Sequence, residues 1–394
     1  MVEPLPVKDR HPRLKVDLFC EVIDNYGDAG VCWRLARQLV SEWHFHVRLW
    51  IDRLSILQKI CPDIQLDRFL QTVSGVDVAV WQSDAFSINA DQIPDVVIEG
   101  FGTRLPDSYV EQMSAKTVAP VWLNLEYLSA ESWVETTHLM QSPHSRFPLM
   151  KHFFFPGFTE KTGGLIRERE LLDEAMSFQS DRGNAIQYLS SLGIPCSKDQ
   201  FIVSLFCYPT APVLRLLNQL THDRQDVLCL IPDGVAVDAI GQFMGKMPDV
   251  GGRFNQGSLN IQIVPIIEQT EYDRFLWSCD LNFVRGEDSF VRAQWASKPF
   301  VWQIYPQEDD AHVEKLNAFM ALYLQGLDQE GRTVLQDFWC HWNTCSTSDH
   351  FPESWQRFRE ILPNLKQHGD VWRKKLAEQP DLSAALVRFI DALR

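Results

Sequence analysis

The sequence predicts an α/β protein built as two Rossmann-like domains that face each other across a cleft. Three observations carry this. At 394 residues the chain is too long for one ordinary core and suits two of similar size. Apolar runs of strand length alternate with helical patterns through the first half, and the alternation starts afresh near residue 200, which is the signature of parallel sheets covered by helices. Apolar residues make up 45% of the chain, so burial is not limiting and wholesale disorder is not expected.

Residues 14–23 form an apolar run that reads as a buried strand, 29–41 a helix, and the alternating stretch 46–51 a second strand. Further strands are expected at 76–81, 94–99 and 120–126, before the glycine-rich segment 156–164 breaks the pattern as an irregular loop. In the second series, strands at 201–206 and 227–231 flank a helix at about 211–220. A strand at 259–265, a helix at 270–278, a strand at 281–284, a helix at 289–296 and a strand at 300–304 follow. Beyond Pro306 the chain turns mostly helical, including 351–362 and 381–393. The charged helical stretch 167–184 is the natural boundary, giving domains of 1–183 and 184–369, with a last helix at about 370–394 available to pack back on the first.

Composition narrows the function. A formal charge of −15 argues against nucleic acid as a principal partner, because backbone phosphates demand a clustered excess of Lys and Arg. A small anion needs only a few local donors and remains open. The nine cysteines stand singly, without a C-x-x-C pair, as expected of a reduced cytoplasmic protein. Cys340, His341 and Cys345 lack a second ligand pair at metal-site spacing and read as buried thiols beside a histidine. No apolar leader core and no run of about twenty apolar residues occurs, so neither secretion nor a membrane is expected.

Several signatures are absent. Without G-x-G-x-x-G after the first strand a dehydrogenase is weakened, and without G-x-x-x-x-G-K-[ST] a P-loop is disfavoured. H-E-x-x-H and G-x-S-x-G are missing as well. No D-x-D triplet is present to hold a metal, so a diphosphate leaving group is expected to meet amides, a helix dipole and cations.

Two clusters remain. Asp24-Asn25-Tyr26-Gly27-Asp28-Ala29-Gly30 ends the first strand and feeds the first helix, the ligand-facing edge of an α/β sheet. Its two carboxylates suit a general base, and equally a turn residue (Asp24) and a helix cap (Asp28). Arg285-Gly286-Glu287-Asp288-Ser289 ends a second-domain strand and opens a helix that Ser289 or Asp288 suits as a cap. The amides and dipole of such a helix end match a diphosphate, Arg285 and Arg292 could add charge, and Glu287 could accept from sugar hydroxyls. An ordinary capped helix is the plainer alternative. Phe206, Tyr208 and Tyr272 stand where a base or ribose could pack, and Asn124 and Glu126 end a first-domain strand. Carboxylates on one wall and a phosphate-cradling helix on the other are what a glycosyl transferase of two Rossmann-like domains requires.

Longer blocks resemble one family. The segments 23–28, 33–37 and 122–131 (Trp-Leu-Asn-Leu-Glu-Tyr-Leu-Ser-Ala-Glu), 163–169, 285–294 and 304–307 are similar, in order, to the bacterial EarP family. The resemblance implies GT-B architecture and inverting transfer of rhamnose from dTDP-β-L-rhamnose, as donor substrate, to an arginine of translation elongation factor P. The product would relieve ribosomes stalled at polyproline. It implies Asp28 as base, Asp24 as a second essential carboxylate and Glu287 as essential in the donor site. Asp288 and Ser289 would meet the diphosphate, while Phe206, Tyr208, Gln269 and Tyr272 would contact the nucleotide. Asn25, Tyr26, Gly27 and Arg285 complete the expected donor site, with no metal or other cofactor. Where the family can place an aromatic on thymine, this chain has Ile266. Which of Asp24 and Asp28 takes the proton stays open, as do a GT-B enzyme with another acceptor and a silent sugar-nucleotide binder.

Overall fold

The computed structural model describes residues 13–24, 26–81, 88–307, 311–346 and 349–394. The first sheet has eight strands in the order β3-β4-β2-β1-β5-β6-β8-β7. They are β1 (Lys15–Cys20), β2 (His46–Ile51), β3 (Leu70–Val73), β4 (Val76–Val80), β5 (Val96–Gly100), β6 (Val121–Leu125), β7 (Gln141–Pro143) and β8 (Met150–Phe154). Only the edge strands β3 and β7 pair antiparallel. The sequence reading missed β3, β7 and β8. The first two are three or four residues long and carry no sustained apolar alternation, so they lack the signal that marks a buried strand. The first half also carries helices α1 (Tyr26–Trp43), α2 (Leu54–Ile60), α3 (Asp107–Ala115) and α4 (Val134–Thr137).

Helices α5 (Leu171–Gln179) and α6 (Arg182–Ser191) lead into the second, six-stranded sheet, ordered β11-β12-β10-β9-β13-β14. Its strands are β9 (Phe201–Leu205), β10 (Val227–Pro232), β11 (Arg253–Gln256), β12 (Leu259–Val264), β13 (Leu281–Arg285) and β14 (Phe300–Gln303), all parallel except the edge strand β11. The helices among and beyond them are α7 (Val213–Leu220), α8 (Val237–Met244), α9 (Gln269–Ser278), α10 (Asp288–Ala296), α11 (Ala311–Tyr323), α12 (Gln329–Trp342), α13 (Phe351–Ala377) and α14 (Leu382–Leu393).

In each sheet the chain runs outward on one side of a central strand and then returns to its other side. The topological switch therefore falls at β1/β5 in the first sheet and β9/β13 in the second, where α/β proteins bind ligands outside the carboxyl ends of the strands. Fully buried strands such as Phe201–Leu205 follow from this layering, since helices cover both faces.

In the C-terminal region the helix expected at 381–393 is present as α14, but the one expected at 351–362 runs fifteen residues further and takes in the start of the expected 370–394 segment. Helix α13 continues through Pro363, which is exposed, to Ala377, and Trp372 near its end donates from Nε1 to Gln294 Oε1 at 2.9 Å. Helix α14 then lies against the first half. Its cap Asp381 accepts from the Ala384 amide at 3.1 Å, Trp43 Nε1 donates to Ser383 Oγ at 2.9 Å, and Phe389 packs on His152 and Phe154. Such a cap is worth about 1 kcal/mol.

Candidate active site

Helix α1 starts at Tyr26, three residues earlier than the sequence pattern indicates. Asp28 therefore sits inside the first turn and is not the cap. Its buried carboxylate reaches back, Oδ2 accepting from the amides of Ile23 at 2.7 Å and Asp24 at 2.8 Å, as a residue of a capping box does. Burial raises its pKa, against those two amides, Tyr127 and Arg53, which pull it down. Asp24 points across the cleft, where its Oδ2 accepts from the Tyr208 hydroxyl at 2.6 Å. Burial pushes Asp24 from 3.8 to about 6, despite Tyr208 and Arg285, and Asp28 adds to the rise. Two glycines make room for this carboxylate. A Cβ at Gly27 would lie 2.8 Å from Asp24 Oδ2, and one at Gly286, whose φ is +59°, would lie 2.7 Å from it.

The opposite wall is the turn from β13 into α10. Arg285 lies 4.4 Å from the Phe206 ring centroid and 4.6 Å from that of Tyr208, and its Nη1 donates to the Cys207 carbonyl at 2.9 Å. Glu287 precedes α10 and accepts the Leu128 amide at 2.9 Å from the first domain. Burial lifts Glu287 to about 8; the Leu128 amide opposes the rise, and Asp28 and Asp288 reinforce it. Ser289 does not cap the helix: its hydroxyl bonds the backbone of Arg285, accepting from N at 3.0 Å and donating to O. Glu287 makes no side-chain cap bond, and the first-turn residues Asp288 and Ser289 line the cleft.

Two cavities meet at this point. One is lined by Tyr26, Phe206, Ile266, Gln269, Tyr272, Arg285, Asp288 and Ser289 together with Asp24 and Gly27. The second shares Asp24 and Gly27 and adds Asp28, Tyr127, Glu287, Trp302, Tyr305 and Lys315. The geometry thus brings together Asp24, Tyr26, Gly27, Asp28, Phe206, Tyr208, Gln269, Tyr272, Arg285, Glu287, Asp288 and Ser289, while Asn25 lies outside the described residues. Gln269 is buried, donating to the Gly30 carbonyl at 2.7 Å, and its Oε1 has no hydrogen-bond partner among the described residues.

Several expectations change. The Asp288 carboxylate turns away toward Arg34 at 3.0 Å, so only the backbone at 288 is left for an anion. Arg292 adds nothing to that site, because it is fully buried and bonded to Asp273 and Glu168. Asn124 is buried against the Gly102 amide at 3.1 Å, and the 122–131 block reaches the cleft through Tyr127 and Leu128 instead. Sequence reasoning gave no role to Tyr127, Arg34 or Lys315, which carry no local signal of their own, and it noted Gly286 only as a member of the 285–289 cluster.

Two Rossmann-like domains whose switch points face each other over a divided cleft define a GT-B glycosyltransferase. A structure of a glycosyltransferase from Rickettsia africae shares this fold at a TM-score of 0.51 and 9% identity, covering 97% of this chain and 98% of that one. The model of the family described as elongation factor P (EF-P) rhamnosyltransferase EarP matches residues 16–391. A protein-arginine rhamnosyltransferase of Pseudomonas putida is 44% identical over 95% of this chain and 97% of its own length, and one of Pseudomonas aeruginosa is 40% identical over 95% and 98%. A solved structure described as the structural basis for EarP-mediated arginine glycosylation of translation elongation factor EF-P aligns at a TM-score of 0.68 and 33% identity, covering 96% and 99%. The chain belongs to the EarP family of protein-arginine rhamnosyltransferases.

Proposed function

We propose that this enzyme moves rhamnose from dTDP-β-L-rhamnose to an arginine side chain of translation elongation factor P in the cytoplasm, with inversion, yielding a factor that relieves polyproline stalls. The observation that carries this is the pair of cavities joined at Asp24 and Gly27. The first suits a nucleotide diphosphate: apolar and aromatic walls at Phe206, Pro232 and Ile266 for a base, and uncapped α10 amides with Arg285 for the charge. The second offers Asp24, Asp28 and Glu287 to a guanidinium, whose planar fork of donors pairs with carboxylates.

Guanidinium is a poor nucleophile because its charge is delocalised and its pKa exceeds about 12. In this reading Asp28 is the base. Its Oδ2 is pinned by two amides, so Oδ1 is held in one direction without reorganisation. As the arginine nitrogen forms its bond to C1 of rhamnose, Asp28 takes the proton and the C1–O bond breaks. The electron pair leaves with dTDP, met by the α10 amides. Asp24, fixed by Tyr208, orients the remaining nitrogens. A single displacement inverts the configuration and assigns no role to a metal or covalent intermediate.

Incubation with elongation factor P and dTDP-rhamnose, read by intact-protein mass spectrometry, tests this. The expected result is one deoxyhexose on an arginine, with turnover lowered at least about 10²-fold in Asp28→Asn. Asn can still accept both amides, so the fold is retained. An unmodified factor, or near-native turnover by the variant, would refute the acceptor or the base respectively.

A further inference from the structure

Five charged side chains meet where α1 packs against α10. Arg34 on α1 is 3% exposed; its Nε donates to Asp288 Oδ1 at 3.0 Å and its Nη1 to Glu168 Oε1 at 2.9 Å. Asp273 Oδ2 lies 3.6 Å from the same Nη1. Arg292 makes two bonds to Asp273 and one to Glu168, each of 2.7 Å. Burial opposes charge on Glu168, yet the Arg292 and Arg34 guanidiniums hold its carboxyl well below the usual range. Next to this cluster the backbone of α1 at Gly30 meets side chains of α9 and α10. Gln269 Nε2 bonds the Gly30 carbonyl at 2.7 Å, and a Cβ at Gly30 would lie 3.2 Å from Asp288 Oδ2 and 3.3 Å from Gln269 Nε2.

Arg34 lines neither cavity. Its partner Asp288, however, is the first residue of α10, and α1 begins with the turn that carries Asp24 and Asp28. The guanidinium fork has fixed geometry and holds two acids at once, which a lysine ammonium on a flexible stem does not. We propose that Arg34 is a positioning residue for the donor site: by bridging Asp288 and Glu168 it fixes the open N-terminus of α10 against α1, and so sets the diphosphate cradle opposite Asp24 and Asp28. This rests on the reading of α10 as the seat of the diphosphate.

Two variants approach the joint independently. Arg34→Lys keeps the charge and loses the fork. Gly30→Ala keeps every charge, favours the helix, and presses a methyl group on Asp288. For each, dTDP affinity is measured by calorimetry, and kcat and the separate KM values for donor and acceptor by initial rates. Both variants are expected to weaken dTDP binding and raise donor KM about tenfold to a hundredfold, the range for a displacement of about 1 Å, with acceptor KM within about twofold of wild type. A merely structural role would lower the melting temperature and leave both KM values of the folded enzyme unchanged; that result overturns the proposal. Should Arg34→Lys fail to fold, Gly30→Ala decides. Wild-type enzyme that does not bind dTDP would remove the diphosphate reading and this inference together. Normal wild-type binding that neither variant weakens would remove this inference alone.

Discussion

Replacing Glu287 by Gln should stabilise the enzyme, by an amount that depends on pH. The folded protein keeps a proton on Glu287 up to about pH 8, whereas an ordinary glutamate releases it near 4.5. Between those values the native state binds more protons than the unfolded chain, so stability falls as pH rises through the window. Each pH unit is worth about 1.4 kcal/mol, which makes full ionisation cost about 5 kcal/mol. Glu287 is only half-buried, and solvent screening brings that to about 2 kcal/mol. Gln keeps the shape and accepts the Leu128 amide through its carbonyl, but carries no proton to lose. For domains of this size the gain corresponds to a melting temperature about 4–8 °C higher. Thermal denaturation of both proteins at pH 4.5, 6.5 and 8.5 is the assay: no difference is expected at the lowest pH and the full difference at the highest. A constant difference across the series, or a less stable variant at pH 8.5, would refute the assignment of the raised group to Glu287.

Two further outcomes follow from distances in the site. Tyr208→Phe removes the hydroxyl that lowers Asp24 through a 2.6 Å bond, so Asp24 should titrate above its present value of about 6. The acid limb of kcat/KM then moves up by about one pH unit, on the scale of a charge-assisted bond, and an unmoved limb would exclude Asp24 as a group that must ionise. Arg292→Met takes from buried Asp273 both of its 2.7 Å bonds and leaves Arg34 at 3.6 Å, while the partly exposed Glu168 keeps its own bond to Arg34. A loss of about 3 kcal/mol is expected for a buried carboxylate that loses its close partner, and a change under about 1 kcal/mol in denaturant titration would contradict it.

The parts of this molecule legible in the sequence are those written along one strand or one helix. The run into Asp24 and the run into Arg285 both announce a strand ending in a glycine-bearing turn, and both do lie at the switch points of their sheets. What was not legible is reached from a distance. Arg34 meets Asp288 across 254 positions, and Asp24 meets Tyr208 across 184, so no local pattern pairs them. Ser289 shows how local chemistry misleads. A serine at a helix start ordinarily caps, but the positive φ of Gly286 tightens this turn, and the hydroxyl bonds Arg285 instead. Pro363 is the converse case: proline usually ends a helix, yet α13 runs through it, held on both sides by buried Leu362 and Leu365.

The electrostatics of the cleft favour the proposed placement of an acceptor cation there. Asp24, Asp28 and Glu287 are all raised by burial, and their mutual repulsion adds to Asp24 and Glu287. The described groups that lower Asp24 and Asp28 include Arg285 and Arg53, but Arg285 is committed to the Phe206 and Tyr208 rings. The cleft is therefore charged unfavourably even with Lys315 on its wall, and the guanidinium proposed to enter it would supply further countercharge. Linkage then runs both ways: the cation favours the ionised form of Glu287, so at neutral pH its binding must release a proton. The same energy that makes Glu287 costly to the fold favours binding of a cation. Stability lost at the carboxylates and affinity gained for the arginine are two readings of one interaction.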